Sequence, residues 1–259
     1  MNQSERRRFL IDYLIKENPG YQDMKIPVNK EEQKRMLRGL MNVRMPRPIS
    51  DIFLKIQDEY LAIENREKGI TELSQLTLVA DGIYLWRGDI TTLKVDAIVN
   101  AANSGMTGCY HPCHGCIDNA IHTYSGVQLR LECADLVEKQ GYEEETGKAK
   151  ITKAYNLPCN YVIHTVGPIV GVRLTEKDCK MLASCYHSCL EAADKNHLKT
   201  IAFCCISTGE FHFPNGKAAQ IAVDTVRKYK ETTQSKMEVI FNVFKEQDDE
   251  IYRKLFRKD

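Results

Sequence analysis

Apolar positions in the first 80 residues recur at helical spacing. Phe9, Leu10, Tyr13 and Leu14 share one face behind Ser4, which can cap the helix, and Asn29 with Glu32 forms a capping-box pattern ahead of Met36, Leu37, Leu40 and Met41. A third helix is expected after Pro48, with Ile52, Phe53, Ile56, Tyr60 and Leu61 as its stripe. From about residue 83 the pattern changes to short β-rich runs at 96–102, 161–166, 200–206 and 237–244. Helical patterns separate them at 118 to about 139, at 175–196 (Leu182, Cys185, Tyr186, Cys189, Leu190 and Ala193 in one stripe) and at 218–229. Such alternation predicts an α/β fold with a mostly parallel sheet covered on both faces, whose ligands bind beyond the carboxyl ends of the strands. The chain therefore reads as a small helical N-terminal module over 1–80 and an α/β domain over 81–259, with 141–150 as a polar surface loop.

Composition narrows the function. With 259 residues, 43% of them apolar, the chain can bury one substantial core or two smaller ones. Its 36 Lys+Arg and 35 Asp+Glu leave a net charge of +1, which excludes a bulk electrostatic grip on nucleic acid or an anionic membrane. A polyanionic ligand must be held locally. No apolar run approaches the roughly 20 residues of a membrane span, and charges interrupt the apolar positions near the start, so a cytoplasmic protein is expected. The ten cysteines, none before Cys109, are then expected to be reduced.

The strand exits carry the chemistry. One ends in Trp86-Arg87-Gly88-Asp89-Ile90-Thr91, another in Asn103-Ser104-Gly105, a third in Ser207-Thr208-Gly209-Glu210-Phe211-His212-Phe213-Pro214. Small residues ahead of a helix let backbone N–H groups face an anion without positive charge. Between 108 and 116 the chain reads Gly-Cys-Tyr-His-Pro-Cys-His-Gly-Cys, and Cys109, His114 and Cys116 form C-x4-H-x-C, a donor set that suits one zinc ion per chain. Three ligands leave a coordination position open, whereas adding Cys113 would close a structural site; alternation along the segment points Cys113 away. His111 is the weaker histidine candidate, and His164 and His122 read as structural.

The ordered series GDIT, VDAIVNAAN, IDNAIH and STGEFHFP, ending in VIFNVFKEQDDEIY, resembles the macrodomain family over about residues 83–257. The resemblance implies a three-layer α/β/α sandwich with a mixed, mostly parallel sheet that binds ADP-ribose. Where most macrodomains carry a glycine-rich loop this chain has its Cys/His segment, which looks like the zinc-containing subclass of bacteria and fungi. By motif position, Asp89 would accept from the adenine amino group and Ile90 would add a backbone contact. Asn103 would hold the distal ribose. Backbone N–H groups of Cys116, Ile117 and Asp118, and of Ser207, Thr208, Gly209, Glu210 and Phe211, would clamp the diphosphate, with Phe211 also packing on the distal ribose. Glu210 and His212 replace the small and aliphatic residues usual there. The implied activity is zinc-dependent hydrolysis of mono-ADP-ribose from protein side chains by water attack at the distal ribose C1, with Asn103 and Asp118 catalytic and the activating group either zinc or Asp118. An ADP-ribose reader without turnover and an O-acetyl-ADP-ribose deacetylase are the alternatives. The subclass is associated with sirtuin-type ADP-ribosyltransferases and lipoyl carrier proteins, so a modified carrier protein is an expected partner.

Overall fold

In the computed structural model, which describes residues 1–257, helix α1 (Gln3–Glu17) opens under a capping box. The cap is Asn2, not Ser4: its side chain accepts from Glu5 N–H while the Glu5 carboxylate accepts from Asn2 N–H, both at 2.9 Å. α2 (Lys30–Val43) starts at Asn29, whose side chain accepts from the N–H groups of Glu31 and Glu32, and α3 (Asp51–Lys68) starts at Ser50. The three helices enclose Leu10, Leu14, Leu37, Met41, Phe53 and Tyr60 in a core of their own. Ile52 is 59% exposed. The buried face of α3 runs through Phe53, Ile56, Gln57, Tyr60 and Leu61, and Ile52 lies about 100° around the helix from Phe53.

The remaining elements follow as β1 (Thr71–Glu72), β2 (Thr77–Ala80), β3 (Ile83–Arg87), β4 (Leu93–Lys94), β5 (Ala97–Ala102), α4 (Ile117–Ser125), α5 (Val127–Gln140), β6 (Ala149–Lys153), β7 (Tyr161–Val166), α6 (Glu176–Lys195), β8 (Thr200–Phe203), α7 (Asn215–Thr233), β9 (Glu238–Val243) and α8 (Glu246–Phe256). Seven strands form one sheet in the order β2-β3-β9-β8-β5-β7-β6, parallel throughout except at its edges, where β2 and β6 run antiparallel to their neighbours. α6, α7 and α8 pack together on one face, and α4 and α5 lie with the N-terminal helices on the other. This is the expected α/β/α sandwich.

Four details differ from the periodicity. β2 precedes residue 81, so the sheet begins inside the stretch read as the module, and β6 rises from the end of the stretch read as a surface loop. Within that stretch Glu144 is buried beside Lys150. The run at 200–206 is a strand only to Phe203, after which the chain turns into the next loop. The helix expected from 118 breaks at Gly126, whose φ of +100° ends α4; a Cβ there would stand 2.6 Å from Gln57 Nε2 of α3. The break is where the two parts of the molecule meet. Gln57 Oε1 accepts from Val127 N–H, Val127 enters the helical core, and Arg130 of α5 donates to the carbonyls of Met41, Asn42 and Arg44.

Candidate functional site

The carboxyl ends of β3, β9, β8 and β5 lie side by side, and most of the chemistry-bearing residues leave the sheet there. Asp89 follows β3. Its Oδ1 accepts from Thr91 N–H and hydroxyl, at 3.0 and 2.6 Å, and its Oδ2 pairs with Lys68 Nζ at 2.7 Å. Burial would raise the Asp89 pKa, but the bonds from Lys68 and Thr91 outweigh it and hold the carboxyl below its ordinary value. β9 pairs with β3 so that Val243 faces Arg87, and the next residue, Phe244, stands 77% exposed. A large aromatic left in solvent at the end of the strand paired with β3 offers a face to a planar base; in the sequence it closes the 237–244 run, and only its exposure reveals it.

Asn103, beyond β5, donates through Nδ2 to Gly108 O at 3.1 Å and to Asp118 Oδ2 at 3.4 Å. Asp118 sits in the first turn of α4, fully buried, and accepts from Asn100 Nδ2 on Oδ1 at 2.8 Å. Burial pushes its pKa up to about 6, although Asn100 favours the ionised form. The second amide hydrogen of Asn100 serves His164 Nδ1 at 3.1 Å, and His164 Nε2 meets Thr152 Oγ1 at 3.0 Å. His164 is thus a hydrogen-bonded core histidine, held neutral by burial. His122 is neutral for the same reason, and neither ring nitrogen has a hydrogen-bond partner. Its ring packs on Gly108, where a Cβ would lie 2.8 Å from Cγ and φ is +84°. With Cys133 these two histidines form a compact cluster. It is sealed from solvent, and both His164 nitrogens are already engaged.

The Cys/His segment runs from Gly108, whose carbonyl accepts from Asn103, to Cys116 at the start of α4, ahead of Asp118. Ligand atoms of Cys109, His114 and Cys116 lie within 4.8 Å of one another, with Cys109 Sγ 3.6 Å from His114 Nδ1. Cys116 is also the N-cap of α4, its sulfur accepting from Asn119 N–H. Burial pushes the Cys116 thiol up to about 12, with Cys109 beside it adding to the effect. Two thiols and an imidazole so gathered fit a borderline-soft cation, which would stabilise the Cys116 thiolate that burial disfavours. Cys113 turns away: its Sγ donates to Arg35 O and its N–H to Asn42 Oδ1, both on α2. Arg38 of the same helix donates to His114 O at 2.9 Å and to Asn119 Oδ1 at 2.8 Å, while Asn119 Nδ2 holds His111 O.

Opposite stands the loop after β8. Ser207 and His212 adopt left-handed φ values of 64° and 55°, and the loop closes through Phe213 N–H to Ser207 O and His212 N–H to Gly209 O. Among the described residues the N–H groups of Ser207, Gly209, Glu210 and Phe211 have no acceptor, whereas that of Thr208 turns inward to Cys205 O. The N–H groups of Cys116, Ile117 and Asp118 are likewise left open at the start of α4. His114 Nε2 lies 3.8 Å from Glu210 Oε1, so the two loops meet across the site. Two sets of open N–H groups with a buried carboxyl between them can hold a diphosphate and act on what is attached to it.

Residues 99–222 match the Macro domain family. The chain is 59% identical over 259 residues to a protein-ADP-ribose hydrolase of Treponema medium, covering 98% of this chain and 99% of that protein. It is 47% identical to a protein-ADP-ribose hydrolase of Staphylococcus aureus (strain MSSA476), over 98% of this chain and 96% of that one. Among solved structures, a Trypanosoma brucei macrodomain in complex with ADP-ribose superposes with a TM-score of 0.65 at 33% identity, covering 84% of this chain and 94% of that one.

Proposed function

The chain belongs to the macrodomain family, and on that premise we propose that it is a protein-ADP-ribose hydrolase that frees mono-ADP-ribose from modified protein side chains. The observation that carries the reading is the Asn103–Asp118 pair at the ends of the Cys/His segment, between two sets of open backbone N–H groups. Adenine is read by Asp89 and rests on Phe244. The diphosphate spans the N–H groups of 116–118 and of Ser207, Gly209, Glu210 and Phe211, the Thr208 N–H being engaged within its own turn. Asn103 then orients the distal ribose, whose C1 loses the protein side chain through an oxocarbenium-like transition state. Asp118, a stronger base than an exposed carboxylate because burial lifts it to about 6, is this chain's own group for taking a proton from the attacking water.

Cys109, His114 and Cys116 are the residues that would hold one zinc ion, with Cys113 engaged by α2 instead. When bound, zinc supplies electrostatic stabilisation of negative charge and a lowered pKa for coordinated water. Glu210 stands against the far nitrogen of His114, where it favours Nδ1 as the ligand atom.

The test is incubation with mono-ADP-ribosylated proteins, a lipoyl carrier protein among them, with chromatographic separation of the products. Free ADP-ribose and unmodified protein are expected. Tight binding without release would make the protein a reader, and release of acetate from O-acetyl-ADP-ribose alone would make it a deacetylase.

A further inference from the structure

We propose that Lys68, the last residue of α3, is a positioning residue for base recognition: it holds Asp89 as an acceptor with one open direction, so the N-terminal helices take part in selecting the purine. The inference rests on the assignment of Asp89 to the adenine amino group.

It follows from counting hydrogen bonds. A carboxylate offers about four acceptor directions, two on each oxygen. Thr91 fills both directions of Asp89 Oδ1 with its N–H and its hydroxyl, and Lys68 Nζ takes one direction of Oδ2. One direction on Oδ2 is left, on a side chain that is 38% exposed. Lys68 is held as firmly as the group it holds. Besides Asp89, its ammonium donates to Thr91 Oγ1 at 2.5 Å and lies 3.4 Å from the centre of the Tyr124 ring on α4. All three N–H directions of the ammonium are therefore engaged. The carboxylate cannot turn about its last torsion, which is broad for an unrestrained Asp, without breaking contacts to both Lys68 and Thr91.

An ionised carboxylate with one open direction accepts one N–H and donates none. A purine with an amino group at C6 fits it, whereas a carbonyl at C6 brings lone pairs against lone pairs. Thr91 supplies the restraint on Oδ1 from two residues away; the restraint on Oδ2 comes from a helix 21 positions upstream, across the joint between the two parts of the molecule.

The test is calorimetric titration of the full chain with ADP-ribose and with the same compound carrying hypoxanthine in place of adenine. The wild-type protein should prefer ADP-ribose by about tenfold or more, the scale of one hydrogen bond to a charged group. In Lys68→Met the preference should shrink to less than about threefold, while Lys68→Arg, which restores a cationic donor, should recover most of it. Lys68→Gln, uncharged and differently shaped, provides a second variant and should also narrow the preference. Melting temperature and metal content should stay near wild type in all of them, separating base selection from general support of the fold. Undiminished preference and affinity in both Lys68→Met and Lys68→Gln would overturn the role of Lys68 while leaving the Asp89 assignment standing. A wild-type protein that binds the two compounds equally would overturn the assignment itself, and the inference with it.

Discussion

Asn103 is asked to do two things with one amide: close the turn at Gly108 O and reach Asp118 Oδ2. Neither contact involves the adenine end of the site, and that separation makes its role measurable. Asn103→Ala should lower turnover by about a hundredfold while leaving ADP-ribose affinity near wild type, because it misplaces the reacting ribose and spares the adenosine anchor. Asp89→Ala should do the reverse, weakening affinity by about 1.5–3 kcal/mol through the lost charge-assisted hydrogen bond. Steady-state kinetics beside calorimetry reads both. Equal losses of binding and turnover in the two variants would remove the division of labour between them. Most of these residues were legible in the sequence because each stands directly after a strand. Phe244 stands there too, but as the last apolar letter of a strand-like run it reads as core, and only its exposure reveals it. Lys68 has no local signal, since its partners are Asp89, Thr91 and Tyr124.

Helix α2 is the element whose function is least visible in its pattern. Its apolar stripe, Leu37, Leu40 and Met41, points into the helical core as periodicity predicts. Its polar positions face the Cys/His segment, where Arg38, Asn42 and the Arg35 carbonyl hold His114, Cys113 and Asn119 in place. The proposed three-ligand arrangement depends on that grip, because it is what occupies Cys113. Cys116→Ala should therefore lose the metal, while Cys113→Ser should keep about one zinc per chain, both read by elemental analysis of the purified proteins. Loss of zinc from Cys113→Ser would make the site a closed four-ligand one. The same contrast between local and distant causes explains which elements the sequence reveals. α6 is legible because its stripe repeats over 20 residues, with Thr175 and Asp178 completing a capping box. β2 and β6 are sheet edges with few fully buried positions, so their alternation is faint. The break at Gly126 belongs to the packing of Gln57 against it, and a single glycine in a helical pattern does not announce a neighbour about 70 residues away.

At the scale of the whole molecule, two cores are joined so that the smaller one supports the site of the larger. Arg130 and Gln57 fasten the joint, Arg38 and Asn42 carry it to the Cys/His segment, and Lys68 carries it to Asp89. The near-neutral charge agrees with a ligand held by backbone N–H groups, without a surface field. The proposed hydrolysis needs both the buried carboxyl of Asp118 and a metal held by the Cys/His segment. The most direct measurement is release of ADP-ribose from a mono-ADP-ribosylated protein by the full chain as purified, after treatment with a chelator, and after zinc is returned. The expected result is release, its loss on chelation and its recovery with zinc, with calorimetric affinity for free ADP-ribose largely unchanged throughout. Undiminished release by protein shown by elemental analysis to be metal-free would contradict it and leave the chemistry to Asp118 and Asn103 alone.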